Sequence, residues 1–427
     1  MRLRVFLATA CSLAALSGFA SQAFGQSFGV ELHNTLMPAS GGMGGVSIAR
    51  PQDLTSAMNA NPAALTQFHG TQFTFGGGWV EPTVNLSQRR QIPILVNDPF
   101  VESFEGKSTA PGLPVGNIGL TQDLSELGMP VTLALGFLTT AGGVVDFRHI
   151  PASHGTNSGQ AIFNIPVALG VDVTDRLSLG ASISMGMAFY DGPFVGAGGM
   201  TNDYALRGAL GANYHLTDKT TIGGYYQTEQ QFRFDNAYTL NPGPGQTNLD
   251  VNSDLPQNVG VGIANESLLD GRLLLGVDLL YKLWDDAATY AAVYDNQWVV
   301  QMGAQFTQGR YRYRAGYVWA ENPISPNPFP NIGGIVQPGD IGAVNYTQAL
   351  LGITSQHRIS FGLGVVDVLP GIDLDVMAGG MFRDTQDYGE YTSSTIASYW
   401  IGLGMTWRFG RGSCDAVAAP ERWCDEM

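Results

Sequence analysis

The stretch YWIGLGMTWRFG, residues 399–410, decides the fold. Tyr399, Ile401, Leu403, Met405, Trp407 and Phe409 are large and apolar, and Trp400, Gly402, Gly404, Thr406 and Arg408 stand between them. A period of two puts one set on each face of a β-strand. A soluble sheet hides such a face under a second layer, whereas a closed transmembrane barrel turns it to lipid.

Working outward, the 427-residue chain is 44% hydrophobic and only 13% charged, about half the usual charged share. Its 56 glycines are many for a strand-rich chain, because glycine inside a strand marks a bend or a close approach. Mean hydropathy is +0.03. No later run of 18 or more apolar residues offers a transmembrane helix. Asp and Glu number 36 against 21 Lys and Arg, which excludes a nucleic-acid partner needing a basic stripe.

Arg2 and Arg4 precede the apolar run 5–19, and Ala23-Phe24-Gly25 supplies small residues for cleavage before Gln26. Residues 1–25 therefore read as a signal peptide. A lipoprotein site at Thr9-Ala10-Cys11 would leave too short an apolar region. Removing the two arginines takes the formal charge from −15 to −17. After cleavage Cys414 and Cys424 remain, able to close a small loop in an oxidising compartment or to stand as two thiols.

Fourteen segments repeat the alternation: 71–87, 117–124, 130–147, 161–174, 176–192, 203–217, 220–237, 252–267, 273–287, 298–309, 311–323, 356–369, 373–385 and 397–409. Those at 220–237 and 252–267 alternate less cleanly. Connections are short and long by turns, as in an outer-membrane barrel. An even strand number puts both ends on the periplasmic side. Leu273, Leu275, Val277, Leu279, Tyr281 and Leu283 form an apolar face opposite Asp278 and Lys282. Charges on one face and aromatics near strand ends are what lipid demands. The expected fold is therefore all-β, a transmembrane antiparallel barrel of about 14 strands over 71–409. A sandwich or propeller would need its apolar faces packed together.

Gly404, Trp407 and Phe409 match the terminal-strand signal read by the barrel assembly machinery, and residues 410–427 follow as a periplasmic tail. Residues 26–70 do not alternate and are too few for a core. With Gly41-Gly42-Met43-Gly44-Gly45 and Asn61-Pro62-Ala63, they read as a plug for a lumen that fourteen strands would leave open.

These motifs, with Asp53, Ala64-Leu65, Asp175–Gly180, Leu255-Pro256, Arg314-Ala315-Gly316-Tyr317 and His357-Arg358-Ile359-Ser360-Phe361-Gly362, resemble the FadL family of outer-membrane transporters for long-chain fatty acids and other hydrophobic compounds. The resemblance covers most of the mature chain. It implies a fourteen-stranded, monomeric barrel in outer-membrane lipid and lipopolysaccharide, an N-terminal hatch, and lateral exit beside a kinked third strand. Gly142 and Gly143 are the candidate kink. Gly41, Gly42, Gly44, Gly45, Asn61, Pro62 and Ala63 are the candidate gating residues.

A hydrophobe needs an apolar landing site, for which Ile92, Ile94, Leu95, Phe100, Phe329 and Ile332 are candidates. By strand parity Arg207, Lys282 and Arg383 face inward and could meet a carboxylate head group; lumen acids such as Asp278 and Asp375 are their alternative partners. His149 and His154 lack a third ligand at metal spacing, no Gly-x-Ser-x-Gly elbow occurs, and no cofactor is expected. The competing functions are a general porin, an outer-membrane hydrolase with its residues in the lumen, and an adhesin.

Overall fold

The computed structural model describes residues 26–27, 31, 33–93, 100–192, 200–240, 247–336, 341–351 and 354–409. Fourteen antiparallel strands form one closed sheet in chain order. They are β1 (Thr71–Gln88), β2 (Leu113–Asp123), β3 (Val131–Asp146), β4 (Asn157–Asp172), β5 (Leu177–Asp191), β6 (Thr201–Thr217) and β7 (Thr220–Gln227). The second half comprises β8 (Gln257–Leu268), β9 (Leu273–Leu283), β10 (Gln297–Gln308), β11 (Tyr311–Ala320), β12 (His357–Leu369), β13 (Ile372–Tyr388) and β14 (Thr392–Phe409). The ring closes where β14 pairs with β1, from Thr71 opposite Phe409 to Gln88 opposite Thr392.

The period of two reports two solvents. On β14, Tyr399, Ile401 and Leu403 are each more than half exposed, while Trp400 between them is 1% exposed. On β9, Leu275, Val277 and Leu279 point out, and Asp278, Leu280 and Lys282 are fully buried. Aromatics mark both ends of the outer face. Tyr281 and Trp298 lie 4.5 Å apart near one rim, and Trp407 and Phe409 4.6 Å apart near the other. A closed ladder with an apolar outside pairs its backbone away from lipid, except at one break between β2 and β3.

One rim carries tight turns. Gly309-Arg310 joins β10 to β11 with Gly309 at φ +57°, a left-handed conformation glycine adopts without steric cost. The other rim carries long connections, and two of these fold. A hairpin pairs Arg233–Leu240 with Thr247–Asn252, and the helix Ile341–Leu351 crosses the mouth, touching β13 and β14 on one side and β4 on the other.

Two segments are shorter in the wall than the alternation predicts. The 220–237 segment leaves the sheet after Gln227, and the 252–267 segment joins it only at Gln257. The hairpin alternates as well, since Phe232 and Phe234 are buried among the loops. The predicted start at 117 moves back to Leu113, and that at 397 to Thr392. Residues 1–25 and the tail 410–427, with Cys414 and Cys424, lie outside the described residues.

Candidate functional site

Residues 33–68 lie inside the ring, nearly all of them buried. Local signals build this inner segment from three short turns. Pro38 opens a turn at Pro38–Gly41, a position where its missing N–H costs nothing. Asp53 caps Leu54–Asn59, its Oδ1 accepting from the Ser56 amide at 2.8 Å and its Oδ2 from the Ser40 amide at 2.9 Å. Asn61 caps Pro62–Gln67, accepting from the Ala63 amide at 3.1 Å.

The wall is shaped to receive this segment. Thirteen of the fourteen strands carry an inward glycine whose missing side chain leaves room for it, and on β13 Met377 meets Gly41 instead. A Cβ on Gly180 would stand 2.2 Å from the Ala63 nitrogen, and one on Gly211 2.0 Å from Asn61 Oδ1. A Cβ on Gly316 would stand 2.0 Å from the Gly44 nitrogen, and one on Gly362 3.1 Å from the Gly42 Cα. Several of these glycines face each other across ladders, Gly170–Gly180–Gly211 and Gly276–Gly303–Gly316 among them. The high glycine content thus reports a backbone-to-backbone seat running round the lumen.

Hydrogen bonds fix the seat. Asn61 Nδ2 donates to the Ile48 carbonyl at 2.8 Å and to Asn213 Oδ1 on β6 at 2.7 Å. Asp278 Oδ2 accepts the Ser47 and Ile48 amides at 2.7 and 3.0 Å. The Gly44 amide donates to Ser360 Oγ at 3.0 Å.

Beside these bonds is a buried ionic cluster. Glu31 meets Arg207 at 3.1 Å, Lys282 at 2.8 Å and Asn258 Nδ2 at 2.8 Å. Burial alone would raise the Glu31 carboxyl; the two cations outweigh it and hold it down at about 2. His33 stacks on Tyr225, and burial pulls its imidazole down to about 3, leaving it neutral. Toward the tight-turn rim the lumen is charged, with Arg314 on Asp375 and Arg408 on Asp367 and Asp373.

Toward the long-loop rim, beside the Glu31 cluster, the interior holds a large apolar cluster. Val80, Val115, Ala141, Ile162, Met377, Met381, Ile396 and Trp400 from the strands pack with Phe232, Phe234 and Tyr346 from the loops. A second cluster, Trp284, Tyr290 and Tyr294, lies over it, with Tyr290 donating to Gln160 and Tyr294 to the Leu351 carbonyl.

The sheet is interrupted between β2 and β3. Their ladder runs from Asp123–Thr132 up to Asn117–Leu138 and stops there. Thr140 forms a bulge in β3, which stays paired with β4 up to Asp146. At the break, side chains replace the ladder. The Thr139 amide donates to Asn117 Oδ1 at 3.1 Å, and Thr139 Oγ1 bridges the Gly116 carbonyl and amide at 2.9 and 3.2 Å. Above it, Asp146 takes the Thr109 amide at 2.8 Å and gives its own amide to Ser108 Oγ at 2.9 Å. The unpaired stretch is thus framed at both ends.

The sequence-derived residues fall as follows. Gly41, Gly42, Gly44, Gly45, Asn61, Pro62 and Ala63 all touch the wall or its polar groups. Gly142 and Gly143 pair regularly with Ala161 and Gln160, so the irregularity belongs to Thr140 instead. Gly404 seats Pro38, while Trp407 and Phe409 face outward. Arg207 and Lys282 point inward, and both are held by Glu31; Lys282 does not pair with Asp278. Arg383 is exposed, because a register shift between Met381 and Asp384 reverses the parity on which its inward placement rested. Of the landing candidates, Ile92 and Ile332 are buried in loop cores and Phe329 is exposed; Ile94 and Leu95 lie outside the described residues. Sequence reasoning missed Glu31, the one acid in the stretch preceding the glycine motif, and the seating role of the wall glycines.

No protein-family model and no curated protein sequence matches the chain. Solved structures do. A Pseudomonas aeruginosa FadL homologue aligns at TM-score 0.65 and 14% identity, over 91% of this chain and all of that one. The Pseudomonas putida toluene transporter TodX aligns at 0.62 and 14%, over 88% and 98%. The monoaromatic hydrocarbon channel CymD aligns at 0.54 and 17%, over 90% and 98%. The fold is therefore that of the FadL-like outer-membrane channels.

Proposed function

We propose that this chain is an outer-membrane channel for passive uptake of fatty acids or other hydrophobic small molecules, with the inner segment as its hatch. The observation that carries this is the large apolar chamber at the long-loop end of the lumen, lined by Val80, Ile162, Met381, Ile396 and Trp400, with the glycine-seated segment beneath it and the Arg314 and Arg408 ion pairs lower still. A porin for polar solutes needs an open, polar lumen. Here an apolar solute entering from the long-loop rim, read as extracellular, meets side chains of its own kind. The relatives in fold are channels, and those named for a substrate carry hydrocarbons, which supports the reading and favours no enzyme.

Exit straight down would drag the solute past Arg314, Asp375, Arg408 and Asp373. Sideways, the break between β2 and β3 leads toward the lipid-facing Phe137, which stacks on Phe163. The hatch would gate by shifting about Asn61 and its glycines. A carboxylate reaching Arg207 and Lys282 would have to displace Glu31.

The test is uptake of labelled oleate by a diderm host lacking its own fatty-acid channel. The intact chain is compared with Asn61→Ala, and assembly is checked by heat-shifted gel mobility. Uptake that changes in the variant supports a hatch-gated channel. An assembled barrel that moves neither oleate nor toluene refutes the reading.

A further inference from the structure

Among the buried polar atoms of the lumen, one lies where a solute would turn sideways. Asn117 is fully buried, and its Nδ2 has no hydrogen-bond partner. Its orientation is fixed by chemistry: the Thr139 amide donates to it at 3.1 Å and needs an oxygen, so Oδ1 faces Thr139 and Nδ2 is the atom left over. Leaving a buried N–H unmade costs free energy that a well-built site recovers elsewhere.

The surroundings say what could recover it. Asn117 is the last β2 residue on the β2–β3 ladder, at the lower edge of the break. The next inward position down, Gly119, is covered by Leu54, Thr55 and Met58 of the inner segment. The next one up, Val115, belongs to the apolar lumen. Asn117 therefore stands where the floor of the apolar chamber meets the side exit. The nearby amides Asn164 and Gln230 are bonded to each other and to Thr140 and the Ala205 carbonyl, so theirs are not spare donors.

We propose that Asn117 Nδ2 is a specificity-determining donor that takes an acceptor oxygen of the solute at the side exit. Resting on the channel reading above, this names the solute class: apolar molecules with a single oxygen function, such as alcohols, ketones, esters or acids, in preference to pure hydrocarbons. Thr139 and Asn117 Oδ1 belong to the seam, and Asn117 Nδ2 to the solute. A hydrocarbon leaves the donor unmade, and an oxygen at the same place completes it.

The test compares uptake of labelled 1-dodecanol and dodecane in the same host, for the intact chain, Asn117→Leu and Thr139→Val. Loss of one hydrogen bond predicts that Asn117→Leu lowers dodecanol uptake roughly five- to tenfold relative to dodecane; any change common to both probes belongs to the seam bond from the Thr139 amide that the same substitution removes. Thr139→Val, which loosens the seam and keeps the donor, should move both probes together. Equal change of both probes in Asn117→Leu, or none, overturns the proposal and leaves Nδ2 to a structural water. If Asn117→Leu does not assemble, Asn117→Val, β-branched as strands favour and without a donor, is read the same way. An intact chain that carries neither probe refutes the channel reading itself, a separate outcome.

Discussion

Replacing Gly316 by alanine should unseat the inner segment and spare the barrel. The added Cβ would lie 2.0 Å from the Gly44 nitrogen and 2.2 Å from the Met43 carbonyl carbon, where side-chain carbons keep at least 3.0 Å. Gly44 must therefore retreat by about 1 Å, the difference between 3.0 and 2.0. Its amide reaches Ser360 Oγ at 3.0 Å now, and that retreat takes it out of bonding range. Overpacking costs about 1–3 kcal/mol and the lost bond about 1 kcal/mol. A penalty of about 2–4 kcal/mol raises the displaced fraction roughly thirtyfold to several hundredfold. Gly116→Ala is the control, since its Cβ would meet nothing within 4 Å. Heat-shifted mobility should show both barrels closed. Single-channel conductance and killing by a large hydrophilic antibiotic should rise in Gly316→Ala alone. A Gly316→Ala barrel as tight as the control would refute the claim that the wall glycines hold the segment in place.

Two further outcomes follow from charge. Glu31→Gln leaves Arg207 and Lys282 buried without their carboxylate, a loss of about 3–5 kcal/mol, and should lower the temperature at which the barrel unfolds on gels; Glu31→Asp should recover part of it. In the outer loops, burial pushes the Asp254 carboxyl up to about 6 while it accepts the Phe232 and Ala288 amides. A carboxyl raised on folding prefers its proton there, so the outer cluster is most stable below about pH 4, weakens as pH rises to 6, and is level above that. Hydrogen exchange over residues 284–295, corrected for its intrinsic pH dependence, should show this slope, and Asp254→Asn should flatten it.

The barrel was legible because two environments, lipid and lumen, press every strand into the same alternation. Devices one residue wide were not. The shift between Met381 and Asp384 turns Arg383 to the outside with no composition signal, and Thr140 bulges beside two glycines that look like better candidates. The helix Ile341–Leu351 hid in a proline-rich connection, because a helix buried on all sides has no apolar stripe to betray it. Asn61 stood out in the Asn61-Pro62-Ala63 run as a gating candidate, and in the fold it caps Pro62–Gln67 and bonds the wall at Asn213. Its partners could not be read, since Asn213 and the wall glycines lie far along the chain and meet it only when the ring closes.

That closure has a consequence for how the protein comes to exist. Every other pair of wall neighbours is contiguous in chain order, whereas β1 waits for β14 across the length of the barrel. Until it arrives, a thirteen-strand sheet has two raw edges, and hydrocarbon accepts neither. Entry into the bilayer and completion of the ring must then be one event, or another protein must hold the edges meanwhile. A chain cut before Thr392 would not be a narrower pore; it would be an open sheet inviting other copies to pair with it. The last strand thus works as a checksum on the whole message: the molecule becomes a membrane protein only after its final lines have been read.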